Sequence, residues 1–423
     1  QKTQAVQKQA QQKSISPLVY VLPVVVVFGI VILAAGAYFL GFFPTFQAPA
    51  ATVAPTIQPT PVPPTEIPPT EAPTFTPTLP PPTEAIVPTD TPMPTETPKP
   101  VIKAIGGADK VAFVANNEIY LMNLDGSGEL VPLTNDGKAK TDLQWMPDGK
   151  SLVFLSDNNV NTVEGDTGRF DTITSFPYAE YFDAFRISPD GKMVAISLNR
   201  QMFILPFDLE ALKQARVQSD LSKMVAAKGC LQYKGETQAA VQVKEFRWSA
   251  DMKLISWLFP GVSAGGGPED IIRIVDISSC DPNRLSKKDE FPGTRFTPSG
   301  FVSNPVIADF DWDGTYGFIL NTALRYGGWG DLYFYNFDLR KGYSLNPIGG
   351  NCCYRDARFS PDGTHIFFAF QDYALGDKST IQLYYIPFKT NYQGTNYQPL
   401  PIPTDLYKSK REAPQPALHA VQR

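Results

Sequence analysis

The sequence has few of the side chains on which most catalytic and metal sites depend. Its 423 residues include only two histidines and four cysteines, and the formal net charge is −5. This slightly acidic balance gives no indication of nucleic-acid binding, which needs a basic surface. No cysteines stand in a Cys-x-x-Cys pair with zinc spacing, so the sequence predicts no zinc site.

Hydrolytic motifs are also scarce. His365 opens an apolar run typical of a packed strand, and His419 lies in a polar tail. No Gly-x-Ser-x-Gly elbow accompanies either histidine, so a Ser-His-Asp relay has little support. The Gly-rich stretches 263–267 and 326–330 lack the Lys-Ser/Thr of a phosphate-binding loop. We therefore expect a protein that is not an enzyme.

One long uncharged segment stands near the start of the chain. No charged residue occurs between Leu18 and Phe43, and a bilayer-spanning helix needs about 20 apolar residues. The alternative, a cleaved signal peptide, has a shorter apolar region of about 7–15 residues. We predict a retained transmembrane helix over 17–43. The lysines of tail 1–16 favour a cytoplasmic N-terminus, which places the rest of the chain outside the membrane.

The chain begins with Gln, which indicates either a processed N-terminus or a fragment. Residues 44–100 hold about half of the 40 prolines, interleaved with threonine. Such a composition cannot form a core and favours polyproline II. This segment is predicted to be a stalk, either O-glycosylated on threonine or an unmodified disordered linker.

A turn motif recurs through the remainder of the chain. In Phe359–Thr364, Pro361 sets the backbone angle, Asp362 hydrogen-bonds its own backbone, and Gly363 accepts a positive φ. A strand pattern leads into this turn, and an apolar strand pattern leads out of it. The motif therefore predicts a tight β-hairpin.

Six copies occur at intervals of roughly 40 to 60 residues. The other five begin at Ile105, Trp145, Ile187, Trp248 and Phe310. Further strand patterns follow each copy, giving about four antiparallel strands per unit, which is typical of a propeller blade. Because a single blade cannot bury both of its faces, the blades are expected to close into a ring over residues 101–403.

These units resemble the WD40-like (PD40) repeats of the TolB type. Two copies, Ile187–Lys192 and Phe359–Thr364, match the aromatic-or-apolar, Ser-Pro-Asp-Gly-Lys pattern closely. The copy at Trp145 replaces Ser by Met, that at Trp248 lacks Pro and Gly, and that at Phe310 has Asp-Trp for Ser-Pro. The resemblance implies an all-β, six-bladed β-propeller, and it says little about function.

An insertion and the cysteines come next. Residues Asp208–Lys228 have near-helical apolar spacing, which predicts a short helix packed on the propeller rim or one that docks a partner.

In an oxidising compartment Cys230 and Cys280 are predicted to form a disulfide. The adjacent pair Cys352 and Cys353 either bond to each other or pair elsewhere.

Two further sites are candidates. Asp309, Asp311 and Asp313 match the start of a calcium loop, although Leu320 replaces the usual Glu, and Asp313 also aligns with the hairpin aspartates. No cofactor other than this structural calcium is expected. Tyr326 and Trp329 lie on a Gly-rich connection and form either a platform for a peptide or glycan or part of their own blade's core.

Residues 404–423 lose the strand pattern and are predicted to be a solvated tail. The sequence as a whole predicts a single-pass membrane protein with an extracytoplasmic propeller. We expect a non-catalytic binding or scaffolding module, a sensor or accessory subunit of a cell-envelope assembly, with a protein or cell-wall glycan as its partner. The alternative is a carbohydrate-active hydrolase with carboxylates in the central funnel.

Overall fold

A computed structural model describes residues 103–234, 242–262, 266–296, 306–349 and 352–421. The predicted N-terminal tail, transmembrane helix and stalk lie outside these residues. Within the described ranges, no helix has both the length and the apolar character needed to cross a bilayer.

The described residues form five antiparallel sheets. The first contains β1 (Ala108–Ala115), β2 (Glu118–Asn123), β3 (Val131–Pro132) and the last strand, β24 (Ala417–Ala420). The second contains β4 (Thr141–Trp145), β5 (Ser151–Ser156), β6 (Asn159–Glu164) and β7 (Phe170–Ser175). The third contains β8 (Phe182–Ile187), β9 (Met193–Leu198), β10 (Gln201–Pro206) and β11 (Leu231–Tyr233). The fourth contains β12 (Glu245–Trp248), β13 (Leu254–Val262), β14 (Pro268–Asp276) and β15 (Ser286–Pro292).

The fifth sheet has eight strands. They are β16 (Asp309–Trp312), β17 (Gly317–Tyr326), β18 (Trp329–Asn336), β19 (Lys341–Leu345), β20 (Tyr354–Phe359), β21 (His365–Phe370), β22 (Gln382–Pro387) and β23 (Gln398–Pro399). One residue pair, Gly330 with Tyr354, joins β18 to β20. The sheet is therefore two four-stranded halves with a single point of pairing between them.

Apolar clusters fill the space between consecutive sheets. Phe154 lies between the first and second sheets, Phe203 between the second and third, and Trp257 between the third and fourth. Phe318 and Phe334 belong to the next two clusters, and Phe367 to the cluster that joins β21 and β22 to the first sheet. Burial on both faces explains why the second strand of each unit is a continuous apolar run. The predicted all-β, propeller-like fold is confirmed.

Five of the six motif copies form the predicted hairpin, whereas the copy at Ile105 precedes β1 without a strand before it, and the inner partner of β1 is β24. In the third sheet the turn joins β8 to β9, and the Asp190 carboxylate accepts hydrogen bonds from the Ser188 hydroxyl at 2.6 Å and the Lys192 N–H at 3.1 Å. Gly191 there has a φ of +72°. The same two hydrogen bonds recur around Asp362, and the following Gly363 again has a positive φ. The turn aspartates thus stabilise their own hairpins through local hydrogen bonds.

The insertion after β10 forms two helices, α1 (Leu209–Gln214) and α2 (Gln218–Lys228). Asp208 caps α1 by accepting the N–H groups of Glu210 and Ala211, both at 3.1 Å. Leu212 and Leu221 are fully buried in the cluster between the second and third sheets. Short 3-10 helices occupy Pro282–Arg284, Gly293–Arg295 and Tyr373–Lys378.

The C-terminal residues differ from the expected solvated tail. β24 pairs with β1, with Leu418 opposite Val111 and Ala417 opposite Ala112. The first sheet therefore takes its inner strand from the far end of the chain. The sequence pattern did not reveal this strand, because it is only four residues long and its pairing partner lies about 300 residues earlier.

Candidate functional site

Six inner strands, β4, β8, β12, β16, β20 and β24, contribute residues to the lining of two adjoining cavities. The larger, here called the wide cavity, has a volume of about 440 Å³ and is lined at one edge by Gln415. The smaller, the narrow cavity, has a volume of about 220 Å³ and reaches the hairpin turn at Pro361. Arg186 and Arg358 line both cavities. We call the two cavities together the central channel.

Carboxylates on the inner strands reach across to the backbone of the next inner strand. Four of them occupy the same position of the repeat, three residues before the aromatic residue that ends the strand. Each accepts a backbone N–H: Asp142 from Phe185 at 2.6 Å, Glu245 from Phe310 at 3.2 Å, Asp309 from Asp356 at 2.9 Å, and Asp356 from Gln415 at 2.9 Å. These bonds tie consecutive sheets together at the channel wall.

A second layer lies one residue before each strand-ending aromatic. Asp311 accepts the Phe359 N–H at 2.9 Å and the Arg247 Nε–H at 2.7 Å. At the equivalent position Gln144 donates to the Phe185 carbonyl and accepts the Ile187 N–H. The backbone N–H groups of Phe359 and Ile187 are buried. Each would destabilise the fold if it had no hydrogen-bond acceptor.

Three arginines fill the other places of this second layer. Arg186 pairs with Asp142, Arg247 with Glu245, and Arg358 with Asp309, the last at 3.3 Å. Burial opposes the charge of Arg358, but the Glu245 and Asp309 carboxylates outweigh it and raise its pKa. For Arg186 burial dominates and lowers the pKa, and the attraction of Asp142 does not compensate.

Asp309 is the most perturbed carboxyl of the channel. Burial, together with the nearby Asp356 carboxylate, raises its pKa to about 7, and the Arg358 guanidinium only partly offsets this. Asp183 differs from the four carboxylates above, because its hydrogen-bond partner is the Gln242 side chain at 2.9 Å rather than a backbone amide. Burial raises the pKa of Asp183 as well.

This arrangement bears on the hydrolase alternative. A glycosidase needs one carboxyl group that holds a proton for the leaving group and another that attacks or activates water. Asp142, Glu245, Asp309 and Asp311 do face the channel, but each is bonded to an arginine and to a backbone N–H. Their contacts are those of groups that fix the sheets in place.

The three candidate calcium ligands do not converge. Asp309 and Asp311 face the channel, whereas Asp313 lies in the hairpin turn and accepts the N–H groups of Thr315 at 2.7 Å and Gly317 at 3.0 Å. Among the described residues, no group of three His, Cys, Asp or Glu side chains is placed to hold a metal ion. Calcium binding at Asp309, Asp311 and Asp313 stays a prediction.

Trp329 is fully buried in the cluster that contains Phe367. Its ring therefore offers no surface to a ligand, which corrects the predicted platform at that residue. The side chain of Tyr326 lies outside the described part. The sequence could not place Trp329 because a Gly-rich connection also forms part of strands β17 and β18, which bury the indole between two sheets.

The cysteines form two pairs. The Cα atoms of Cys230 and Cys280 lie 4.5 Å apart and their sulfur atoms are bonded, which links the end of the helical insertion to the fourth sheet. The sulfur atoms of the adjacent residues Cys352 and Cys353 are placed together as a second pair. The disulfide between Cys230 and Cys280 stays a prediction.

The two histidines have structural surroundings. His365 begins β21 and its Nδ1 lies 2.7 Å from the Thr364 hydroxyl. His419, in β24, lies 2.6 Å from an Asp109 carboxylate oxygen and 3.0 Å from the Gly149 carbonyl oxygen. Its ring also packs edge-on against Trp145. His419 therefore links the first and second sheets.

The channel residues were missed in the sequence, although a signal for them exists. An acidic residue stands three places before the aromatic residue in four hairpin copies, at Asp142, Glu245, Asp309 and Asp356. The residue one place before the aromatic or apolar strand end is Gln, Arg, Arg, Asp and Arg in successive copies. Aligning the copies on their turns would have shown both layers.

The fold and channel define an all-β, propeller-like protein with a charged central channel. No family model matches the chain. An uncharacterized peptidase, YuxL, from Bacillus subtilis (strain 168) is 30% identical over 105 residues, which are 23% of this chain and 15% of that protein. The matched segment thus spans about a seventh of the relative's length.

Several solved structures are similar to this fold. TolB from Acinetobacter baumannii is 16% identical with a TM-score of 0.47, over 74% of this chain and 67% of that one. A putative TolB from Agrobacterium tumefaciens is 13% identical with a TM-score of 0.41, over 69% and 88%. Hydrazine synthase from Kuenenia stuttgartiensis is 14% identical with a TM-score of 0.35, over 60% and 67%.

Proposed function

We propose that this chain is a membrane-anchored, extracytoplasmic β-propeller that acts as a non-catalytic binding or scaffolding module of the cell envelope. The observation that carries the proposal is the bonding of the channel carboxylates. Asp142, Glu245, Asp309 and Asp311 each serve a neighbouring sheet through a backbone N–H and an arginine. A rigid ring so assembled suits recognition by its faces and loops.

The ring is proposed to have six blades. Counting the two halves of the eight-stranded sheet separately gives six four-stranded units, and six apolar clusters within the described residues follow one another from sheet to sheet. The last cluster returns to the first sheet. An experimental map showing fewer than five blades, or an open ring, would overturn this count.

The cellular arrangement rests on the sequence. The uncharged run Leu18–Phe43 follows a lysine-containing tail, and the Pro/Thr-rich residues 44–100 separate it from the propeller. The pairing of Cys230 with Cys280 supports an oxidising compartment. We propose that the N-terminus is cytoplasmic and that the stalk carries the propeller away from the membrane.

The test is purification of the full chain from native membranes in mild detergent, with mass spectrometry of the proteins that co-migrate. A chain ending at residue 100 is the control, because it keeps the proposed anchor and stalk. A stoichiometric partner that requires residues 101–423 supports the proposal. Hydrolysis of a cell-wall glycan by the purified chain, abolished in a folded Glu245→Gln variant, would overturn it in favour of the hydrolase.

A further inference from the structure

The two cavities of the central channel differ in the charged groups that line them. The wide cavity is lined by five carboxylates and four cationic side chains. The narrow cavity is lined by three guanidinium groups, from Arg186, Arg247 and Arg358, and by one carboxylate, from Asp311. The lining of the narrow cavity thus holds two more cationic than anionic groups, while Asp142, Glu245 and Asp309, the carboxylate partners of its arginines, line the wide cavity.

The three arginines are held in place rather than free to fold away. Their side chains are 15%, 9% and 15% exposed, and each has an ion-pair partner on an inner strand. Fixed guanidinium groups provide planar, paired N–H donors that match the oxygens of carboxylates and phosphates. Such a site is organised before a ligand arrives, so little ordering cost is incurred on binding.

Arg186 has donor capacity that the described residues leave unused. Its Nη2 pairs with Asp142, but its Nε is buried and has no hydrogen-bond partner. Arg247, by contrast, bonds to Asp311, to Glu245 and to the Phe246 carbonyl. A buried guanidinium nitrogen without an acceptor is costly, so Arg186 is the one of the three arginines whose hydrogen bonds are least complete.

The narrow cavity extends to the hairpin side of the channel. Pro361, in an exposed hairpin turn, forms part of its rim, and Leu143 and Phe359 form apolar parts of its wall. A volume of about 220 Å³ is enough for a small oxyanion or for the end of an extended chain. Low-dielectric walls around like charges strengthen the attraction for an anion.

We propose that the narrow cavity is an oxyanion-binding site that takes a phosphate or carboxylate group on Arg186 and its neighbouring guanidinium groups. The group arrives as a free small anion or as the carboxylate terminus of a peptide. This inference deepens the proposed binding function by naming a ligand class for the channel. It does not depend on which protein binds the faces of the ring.

The test is calorimetric titration of the full chain in mild detergent at low ionic strength. The probes are inorganic phosphate and acetyl-Gly-Gly with a free or an amidated C-terminus. Phosphate or the free-carboxylate peptide should bind with a stoichiometry near one, and 0.5 M salt should weaken binding because it screens the charges. Binding of phosphate alone identifies a free anion as the source, and preference for the free-carboxylate peptide over its amide identifies a chain terminus.

Arg186→Gln should weaken binding at least tenfold. Arg273→Gln is the matched control, since Arg273 is also a buried, ion-paired arginine but bonds to Glu290 within the fourth sheet.

Asp311→Asn keeps an oxygen that can accept the Phe359 N–H, as the Gln144 amide accepts the Ile187 N–H at the equivalent position. Because it removes the one carboxylate of the narrow cavity, it should tighten binding several-fold. This variant decides the matter if Arg186→Gln does not fold.

Three results would overturn the proposal. They are no binding of any probe, equal binding by wild type and folded Arg186→Gln, and unchanged or weaker binding by Asp311→Asn. None of these affects co-purification of a protein partner with residues 101–423, so the site and the proposed function can fail separately.

Discussion

Asp309 and Asp356 occupy the same repeat position on neighbouring inner strands, and the carboxylate of the first accepts the backbone N–H of the second at 2.9 Å. Asp356 in turn accepts the N–H of Gln415. Asp356 thus donates its backbone N–H to the strand before it and accepts, with its carboxylate, a backbone N–H from the segment after it. The repeat therefore encodes contacts between sheets as well as within them.

Asp311→Ala should destabilise the fold strongly. The change removes the acceptor of the Phe359 N–H and the partner of the Arg247 Nε, and leaves that guanidinium less compensated. Removing one member of a buried ion pair costs about 3–5 kcal/mol. Urea unfolding measures the loss. Asp171→Ala, on the exposed part of β7, is the control and should change stability by less than about 1 kcal/mol.

Asp309 should make stability depend on pH. Its pKa is raised from 3.8 to about 7 on folding. Between those values the folded chain holds a proton that the unfolded chain has released, so the stabilisation present below pH 4 is lost as the pH rises through about 7. The loss is on the order of a few kcal/mol. Denaturant unfolding from pH 4 to 8 should show a smaller decrease for Asp309→Asn. An unchanged slope in that variant would contradict this assignment.

The glycines of two equivalent hairpins should differ in their tolerance of alanine. Gly314 has a φ of +81°, and a Cβ there would lie 2.9 Å from the Ala250 backbone nitrogen. Gly363 has a φ of +70° with no atom within 4 Å of such a Cβ. Gly363→Ala should lower the free energy of unfolding by about 1–2 kcal/mol, which is the cost of placing alanine in the left-handed backbone conformation. Gly314→Ala should cost more, because its Cβ would also displace the preceding hairpin, the turn between β12 and β13 at Ala250. Equal melting temperatures would refute the difference.

Removing residues 417–423 should unfold the propeller or lower its melting temperature by more than about 10 °C. The deletion exposes the edge of β1 and uncovers the first apolar cluster, in which Ala112 and Val114 lie. Removing only residues 422–423 is the control. Limited proteolysis alongside calorimetry would distinguish local opening of the first sheet from global unfolding.

The Cys230–Cys280 pairing is open to a direct test. Peptide mapping without reduction should recover the linked peptides. A disulfide that closes a loop of 50 residues stabilises by roughly 4 kcal/mol in the chain-entropy description. The Cys230→Ser/Cys280→Ser double variant should lose a similar amount of stability in urea. Recovery of both residues as free thiols from the untreated chain would contradict the pairing.

The hairpins were predictable because their chemistry is local. Pro189, Asp190 and Gly191 specify a turn within three residues, and the apolar run after them forms β9 as expected. The partners across the channel were not predictable from one copy. Asp311 contacts Phe359, which is 48 residues away, and only the ring brings their strands together.

The burial and the contact partners of single residues depended on the same long-range packing. A Gly-rich connection suggested an exposed Trp329, yet the cluster with Phe367 buries it completely. His419 was assigned to a tail, yet its partner Asp109 lies 310 residues earlier. A local sequence pattern does not indicate which residues meet at that separation. Closing so long a segment has an entropic cost that only the packing of the whole fold offsets.

The place of β24 in the first sheet has a consequence for biosynthesis. β1, β2 and β3 leave the ribosome early, but the inner edge of β1 stays without its hydrogen-bonding partner until Ala417–Ala420 have been made. During that interval the nascent chain exposes an apolar strand edge capable of pairing with other chains. Completion of the first sheet therefore waits for the synthesis of residues 417–420, and a product terminated before them would keep an unpaired strand edge at β1.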